Sequence, residues 1–124
     1  MTDQDKKNME VVRQAYATGG DVISPDIVWH VPGHNPVSGI FRGAKAYHDE
    51  MVQRMGPIDE WVVDVAEIMI NGDMAVAAVL IKGRRKGHRI ELEGAHVMRV
   101  QNGKVVEGWG FVENQDILDE FFSA

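Results

Sequence analysis

The chain has 124 residues, 44% of them apolar and 26% charged, with a formal net charge of −6 and no cysteine. That length suits one domain with a real hydrophobic core, and the missing cysteines exclude disulfides and thiolate chemistry. The acidic balance speaks against a nucleic-acid binder, and no run approaches the roughly 18 apolar residues of a membrane-spanning helix.

No internal repeat, low-complexity stretch or linker interrupts the sequence, so residues 1–124 read as a single domain. The polar start, Met1–Lys7, does not read as an ordinary secretory signal, and the expected compartment is the cytoplasm. Met9, Val12 and Tyr16 share one helical face and predict a helix over Asp5–Thr18, stopped by Gly19-Gly20. Ile27–Val31, β-branched and aromatic between Pro25 and Pro32-Gly33, predicts a strand, and Gly33–Pro36 a loop. Ala44, Tyr47, Met51, Val52 and Met55 form the stripe of a second helix over Ala44–Met55, ended by Gly56-Pro57.

The second half predicts a meander of four strands, Glu60–Ile70, Met74–Lys82, Arg89–Val100 and Val105–Val112. Its separators include Asn71-Gly72-Asp73 and Asn102-Gly103, which supply the positive φ angles of tight hairpins. The basic run Arg84–Arg89 reads as a solvated hairpin turn. A last helix carries Ile117, Leu118, Phe121 and Phe122, with Asn114 as its cap.

Strands of about 10 residues must twist and coil, with Gly94 a bulge or bend that sharpens the curvature. The concave face can then be roofed by helices and enclose a cavity. Met74–Ile81 is apolar on both strand faces, while three helices cover only one. The other face is expected to pack on a second copy, giving a homodimer.

Strand parity nominates two histidines. His96 alternates in register with Ile90, Leu92, Met98 and Val100, which places it on the buried face. His30 shares its face with Val28, with Trp29 pointing the other way. Phe41, Met51, Met55 and Met98 read as core, and such a methionine-rich wall adapts to apolar ligands. His30 and His34 flank Pro32-Gly33, which removes the helical spacing a metal pair would use, so neither metal nor cofactor is expected. No phosphate loop, nucleotide fingerprint or serine-nucleophile motif is present.

Asp26–Pro36 followed by Gly39 and Phe41-Arg42-Gly43 resembles the segment leading into the second helix of SnoaL-like and ketosteroid-isomerase-like proteins of the NTF2-like superfamily. Val97–Val106 resembles their closing hairpin, and Val11–Tyr16 their opening helix. The resemblance covers essentially the whole chain. It implies an α+β cone: a curved, antiparallel-rich sheet wrapped around N-terminal helices with an internal pocket. The superfamily holds isomerases, cyclases, dehydratases and non-enzymes, so fold alone does not decide activity.

Position by position, the resemblance puts His30 where ketosteroid isomerases carry their general-base aspartate, and His96 where they carry a protonated aspartic acid. Tyr16 falls close to their oxyanion-hole tyrosine, one residue out of register. It also implies that Gly108 and Gly110 face the cavity and widen it, with Trp109 on the dimer face. The site expected is therefore His30 as base with His96 or Tyr16 as donor. Val28, Phe41, Tyr47, Met51, Met55, Met98, Gly108 and Gly110 line the pocket.

Three readings of function stand. The first is cofactor-independent acid–base chemistry, of isomerase or cyclase type, on a small apolar carbonyl compound. The second is a non-catalytic small-ligand-binding domain, and the third a structural dimer module. A dehydratase built on His30, His96, Tyr16 and Tyr47 is a further variant of the first.

Overall fold

The computed structural model describes all residues, Met1–Ala124. Helix α1, Asp3–Ala17, opens with a capping box in which Thr2 Oγ1 accepts from the Asp5 N–H and Asp5 returns a bond to the Thr2 N–H. A 3₁₀ turn, Gly20–Val22, leads into β1, Ile23–Val31. Strand β2, Gly39–Arg42, follows. The second helix begins as a π-turn, Ala46–Glu50, and continues as α2, Met51–Met55. Then come β3, Glu60–Asn71; β4, Met74–Arg85; β5, His88–Gln101; β6, Lys104–Val112; and α3, Gln115–Ser123, capped by Asn114.

The six strands form one sheet in the order β2-β1-β6-β5-β4-β3. From β3 to β6 the sheet is the antiparallel meander expected, and two of its turns place Lys86 and Asn102 at positive φ ahead of a glycine. β1 then pairs parallel with β6 across the length of the chain, and β2 completes the edge, so the sheet is mixed. β2 falls where the sequence offered no strand pattern.

The ladder slips in three places: in β3 between Val65 and Glu67, in β6 at Val106 opposite Arg99-Val100, and in β1 between Ile23 and Val28. Gly94, expected to mark a bulge or a bend, is paired in regular register on both sides, so no bulge lies there. Its role is close approach: a Cβ there would press on the Phe111 carbonyl at 2.5 Å.

Alternate residues of β4 (Ala75, Ala77, Val79, Ile81) are buried on the concave side. The core divides into two apolar clusters. One gathers Val12 of α1 with Ile27, Trp29 and Phe41 against β4 and β5. The other gathers Val37 and Met55 with Leu118, Phe121 and Phe122 of α3. Arg85 reaches under α3 and donates from Nη1 to the Phe121 carbonyl at 2.8 Å and the Ala124 carbonyl at 3.0 Å.

Candidate active site

A cavity of about 290 Å³ lies at the seam between the two clusters. Its wall takes Ile23, Trp29, Ile81, Met98 and Val105 from the first and Val37, Met55, Leu118 and Phe122 from the second. Of its 21 lining residues 18 are apolar or aromatic, and none is Asp, Glu, Lys or Arg. Charge is therefore absent from the wall, and polar contacts reduce to a few groups.

The principal polar feature joins α1 to β5. The Tyr16 hydroxyl lies 2.6 Å from His96 Nδ1, with the two rings parallel at 5.9 Å. Trp29 meets the His96 ring edge-on at 5.4 Å. Gly110, opposite His96 in the β5–β6 ladder, leaves space beside the imidazole: a Cβ there would be no closer than 3.8 Å to any atom. Tyr47 enters from the π-turn, with its ring 5.4 Å from Trp29. Neither His96 Nε2 nor the Tyr47 hydroxyl hydrogen-bonds within the protein, and neither is sealed from the cavity their side chains line.

Burial sets the protonation states. Desolvation disfavours the imidazolium and pulls His96 from 6.5 down to about 4. Desolvation, helped by the neighbouring Tyr47, pushes Tyr16 well above the usual phenol range, and burial also raises Tyr47. All three groups are thus neutral near pH 7. The short contact has two tautomeric forms. Either Tyr16 O–H donates to Nδ1, leaving Nε2–H as a donor, or Nδ1–H donates to the Tyr16 oxygen, leaving Nε2 as an acceptor and Tyr16 O–H as a donor.

Several residues nominated from sequence meet here: Tyr16, His96, Tyr47, Met51, Met55, Met98 and Gly110 all line the cavity. His30 does not. The parity of β1 is the reverse of that expected, so Ile27, Trp29 and Val31 face inward while Val28 and His30 face the outer side of the sheet. The physical reason is the parallel pairing with β6, which sets Trp29 opposite Gly108 and lets the indole occupy the room a side chain would have taken. Gly108 thus faces inward but is covered by Trp29, and Phe41 is packed in the core instead of lining the cavity.

On the outer side His30 Nε2 pairs with Glu107 Oε2 at 2.9 Å, and its ring stacks on Trp109 at 5.1 Å. His30 and Trp109 border a second, more open groove with Ser38, Gly39 and Ile40, which shares Val31, Pro32, Gly110 and Phe111 with the cavity lining. The sequence reading missed Trp29, Trp61, Ile81 and Phe122 as wall residues. Only the burial of alternate β4 positions could have pointed to Ile81.

The SnoaL-like domain family matches residues 9–108 of the chain. No curated protein matches it. Among solved structures, Bal32a from a soil-derived mobile gene cassette superposes with a TM-score of 0.89 at 21% identity, covering 97% of this chain and 99% of that one. A protein of unknown function with a cystatin-like fold from Xanthomonas campestris gives 0.84 at 26% identity, covering 94% and 98%. An NTF2-like protein from Burkholderia pseudomallei gives 0.83 at 19% identity, covering 95% and 98%. The α+β cone with its roofed concave face, and the family match over 100 of 124 residues (9 to 108 inclusive), agree: the chain belongs to the SnoaL-like domain family and has the NTF2-like fold.

Proposed function

We propose that this protein binds a small apolar carbonyl compound in the cavity and isomerises it by a charge-neutral proton relay through Tyr16 and His96. The observation that carries the reading is the 2.6 Å Tyr16–His96 contact inside an uncharged, largely apolar wall. A histidine whose pKa lies near 4 resists becoming a cation, and a tyrosine raised above its ordinary range resists becoming an anion. Chemistry that forms neither ion is favoured.

The tautomer with Nδ1–H supplies it. His96 Nε2 takes a proton from the carbon beside the carbonyl, and the Nδ1 proton passes to the Tyr16 oxygen. The Tyr16 proton passes to the carbonyl oxygen. One C–H bond breaks, one O–H bond forms, and the product is a neutral enol with the imidazole in its other tautomer. Running the relay backward at a different carbon returns the proton and shifts the double bond. No cofactor is needed, because the relay itself carries every proton.

The test is exchange of α-protons of small ketones with deuterated solvent, followed by NMR. The native protein accelerates it, whereas Tyr16→Phe and His96→Gln each lose at least 10²-fold of the acceleration expected for positioned acid–base groups. The absence of any carboxylate from the wall favours a second reading, binding without turnover. Saturable binding of ketones with no exchange in the native protein would establish it.

The same proposal includes a homodimer formed through the outer face of the sheet. No helix covers that face, and it leaves Ile40, Val62, Met69 and Phe111 between 40% and 54% exposed. Sedimentation as a monomer at micromolar concentration overturns it.

A further inference from the structure

We infer that the cavity selects an uncharged, flat ligand with two oxygen functions, one held by the Tyr16–His96 pair and the other by the hydroxyl of Tyr47. This inference rests on the proposed carbonyl site and extends it to a substrate class.

Tyr47 is placed by a backbone irregularity. The Met51 N–H bonds back five residues to the Ala46 carbonyl, the widened turn of a π-helix, a feature concentrated at functional sites. The ring is then held on two sides, by Trp29 at 5.4 Å and by His48 at 4.9 Å. Its hydroxyl therefore has a fixed position, makes no side-chain hydrogen bond within the protein, and is accessible rather than sealed. A tyrosine hydroxyl set among apolar groups ordinarily finds a hydrogen bond. Tyr16, on the same wall, has found one in His96. A phenol held rigidly in an apolar wall with its polar end unused is the arrangement of a ligand contact.

The rest of the wall limits what that ligand is. With no Asp, Glu, Lys or Arg lining the cavity, a carboxylate, phosphate or ammonium would lose its hydration with no opposite charge to replace it. Trp29, Trp61, Tyr16, Tyr47 and Phe122 present aromatic surface, which suits a planar ring. The volume, about 290 Å³, is at the small end of ligand pockets and suits a two-ring compound. The class is that of neutral bicyclic hydroxy-ketones.

The experiment titrates 2-tetralone, its derivatives with one hydroxyl on the aromatic ring, and 2-naphthoate by quenching of tryptophan fluorescence. α-Proton exchange of the ketones is measured beside it. One satisfied hydrogen bond corresponds to roughly tenfold in affinity. At least one hydroxy-tetralone is therefore expected to bind the native protein about tenfold tighter than 2-tetralone, with 2-naphthoate at least tenfold weaker than either. In Tyr47→Phe the hydroxyl advantage falls to about onefold.

Because the hydroxyl is unpartnered, Tyr47→Phe is expected to fold with an unchanged or raised thermal midpoint. A lowered midpoint would mark the hydroxyl as structural and overturn the inference. So would a hydroxyl advantage that survives in Tyr47→Phe, or 2-naphthoate binding as tightly as 2-tetralone. Exchange that depends on His96 while the hydroxyl advantage ignores Tyr47 rejects the inference and keeps the relay. An advantage that depends on Tyr47 without any exchange keeps the two-oxygen site and rejects the relay. Failure of every ketone to bind rejects both.

Discussion

The indole of Trp29 lies over Gly108, its partner across the parallel β1–β6 ladder, and fills the space that any side chain at 108 would need. Two residues further along β6, Gly110 lines the cavity beside His96, where a Cβ would make only ordinary van der Waals contact. The two glycines look alike in the sequence and respond oppositely to a methyl group. Gly108→Ala drives a Cβ into the Trp29 ring and is expected to cost about 1–3 kcal/mol, the usual range for overpacking a core. Gly110→Ala meets its nearest neighbour at 3.8 Å and leaves stability within about 0.5 kcal/mol while shrinking the cavity. Urea unfolding of both variants, with ketone titration of Gly110→Ala, checks the pair of outcomes.

Burial of His96 makes a pH dependence of stability. In the unfolded chain this imidazole takes up a proton below its ordinary pKa of 6.5, whereas in the fold it stays neutral down to about 4. The unfolded state thus binds more protons in that window, and stability falls as the pH falls from about 6.5 toward 4. The full shift corresponds to about 3 kcal/mol. His96→Gln removes the proton uptake, so its unfolding free energy is flatter than that of the native protein between pH 6.5 and 4.5. Equal slopes for the two proteins would show that His96 is protonated in the fold at these pH values. For the relay, which uses neutral imidazole, α-proton exchange is expected to hold level down to pH 5 and decline only as the pH approaches 4.

What the sequence made legible follows the range of the interactions. The meander was readable because Asn102-Gly103 and Asn71-Gly72-Asp73 encode their turns locally. The inward side of β5 was readable because His96 alternates with Ile90, Leu92 and Met98, and the structure buries Ile90, Leu92 and Met98. β1 was harder to read. Its two parities, Ile27-Trp29-Val31 and Val28-His30, both look half-apolar, and the choice is made by β6 at the far end of the chain. A one-residue change of parity moves every side chain across the sheet. That single decision carried His30 and Val28 out of the cavity and Trp29 into it. The four-residue β2 is likewise held by pairing with β1 and has no pattern of its own.

His30 now has a specific expectation. Its imidazole is on the outer face with Glu107 and Trp109, and no hydrogen bond or ring contact joins the three to Tyr16 or His96. The His30 and Glu107 side chains are 27% and 32% exposed, and a pair this open to water contributes little. His30→Gln is therefore expected to change stability by less than about 1 kcal/mol. Ketone affinity and α-proton exchange should match the native protein. Loss of exchange in this variant, with the fold intact by circular dichroism, would return the proton-accepting role to His30.

Arg85 provides the last test, because it ties the roof of the cavity to the sheet. Its residue is 5% exposed, and Nη1 reaches the carbonyls of Phe121 and Ala124 at the end of α3. Helix ends leave such carbonyls without intrahelical partners, and a cation beside them also meets the negative end of the helix dipole. α3 contributes Leu118 and Phe122 to the cavity wall. Arg85→Ala removes the charge and leaves both carbonyls without this donor, an expected cost of about 2–4 kcal/mol. Arg85→Met keeps much of the buried volume and should recover part of that loss. If both variants unfold within about 0.5 kcal/mol of the native protein, α3 is held by its apolar face of Leu118, Phe121 and Phe122 alone. If Arg85→Ala also weakens ketone binding while Arg85→Met retains it, the arginine acts by holding α3 in place above the cavity, and its charge plays no direct part in recognition.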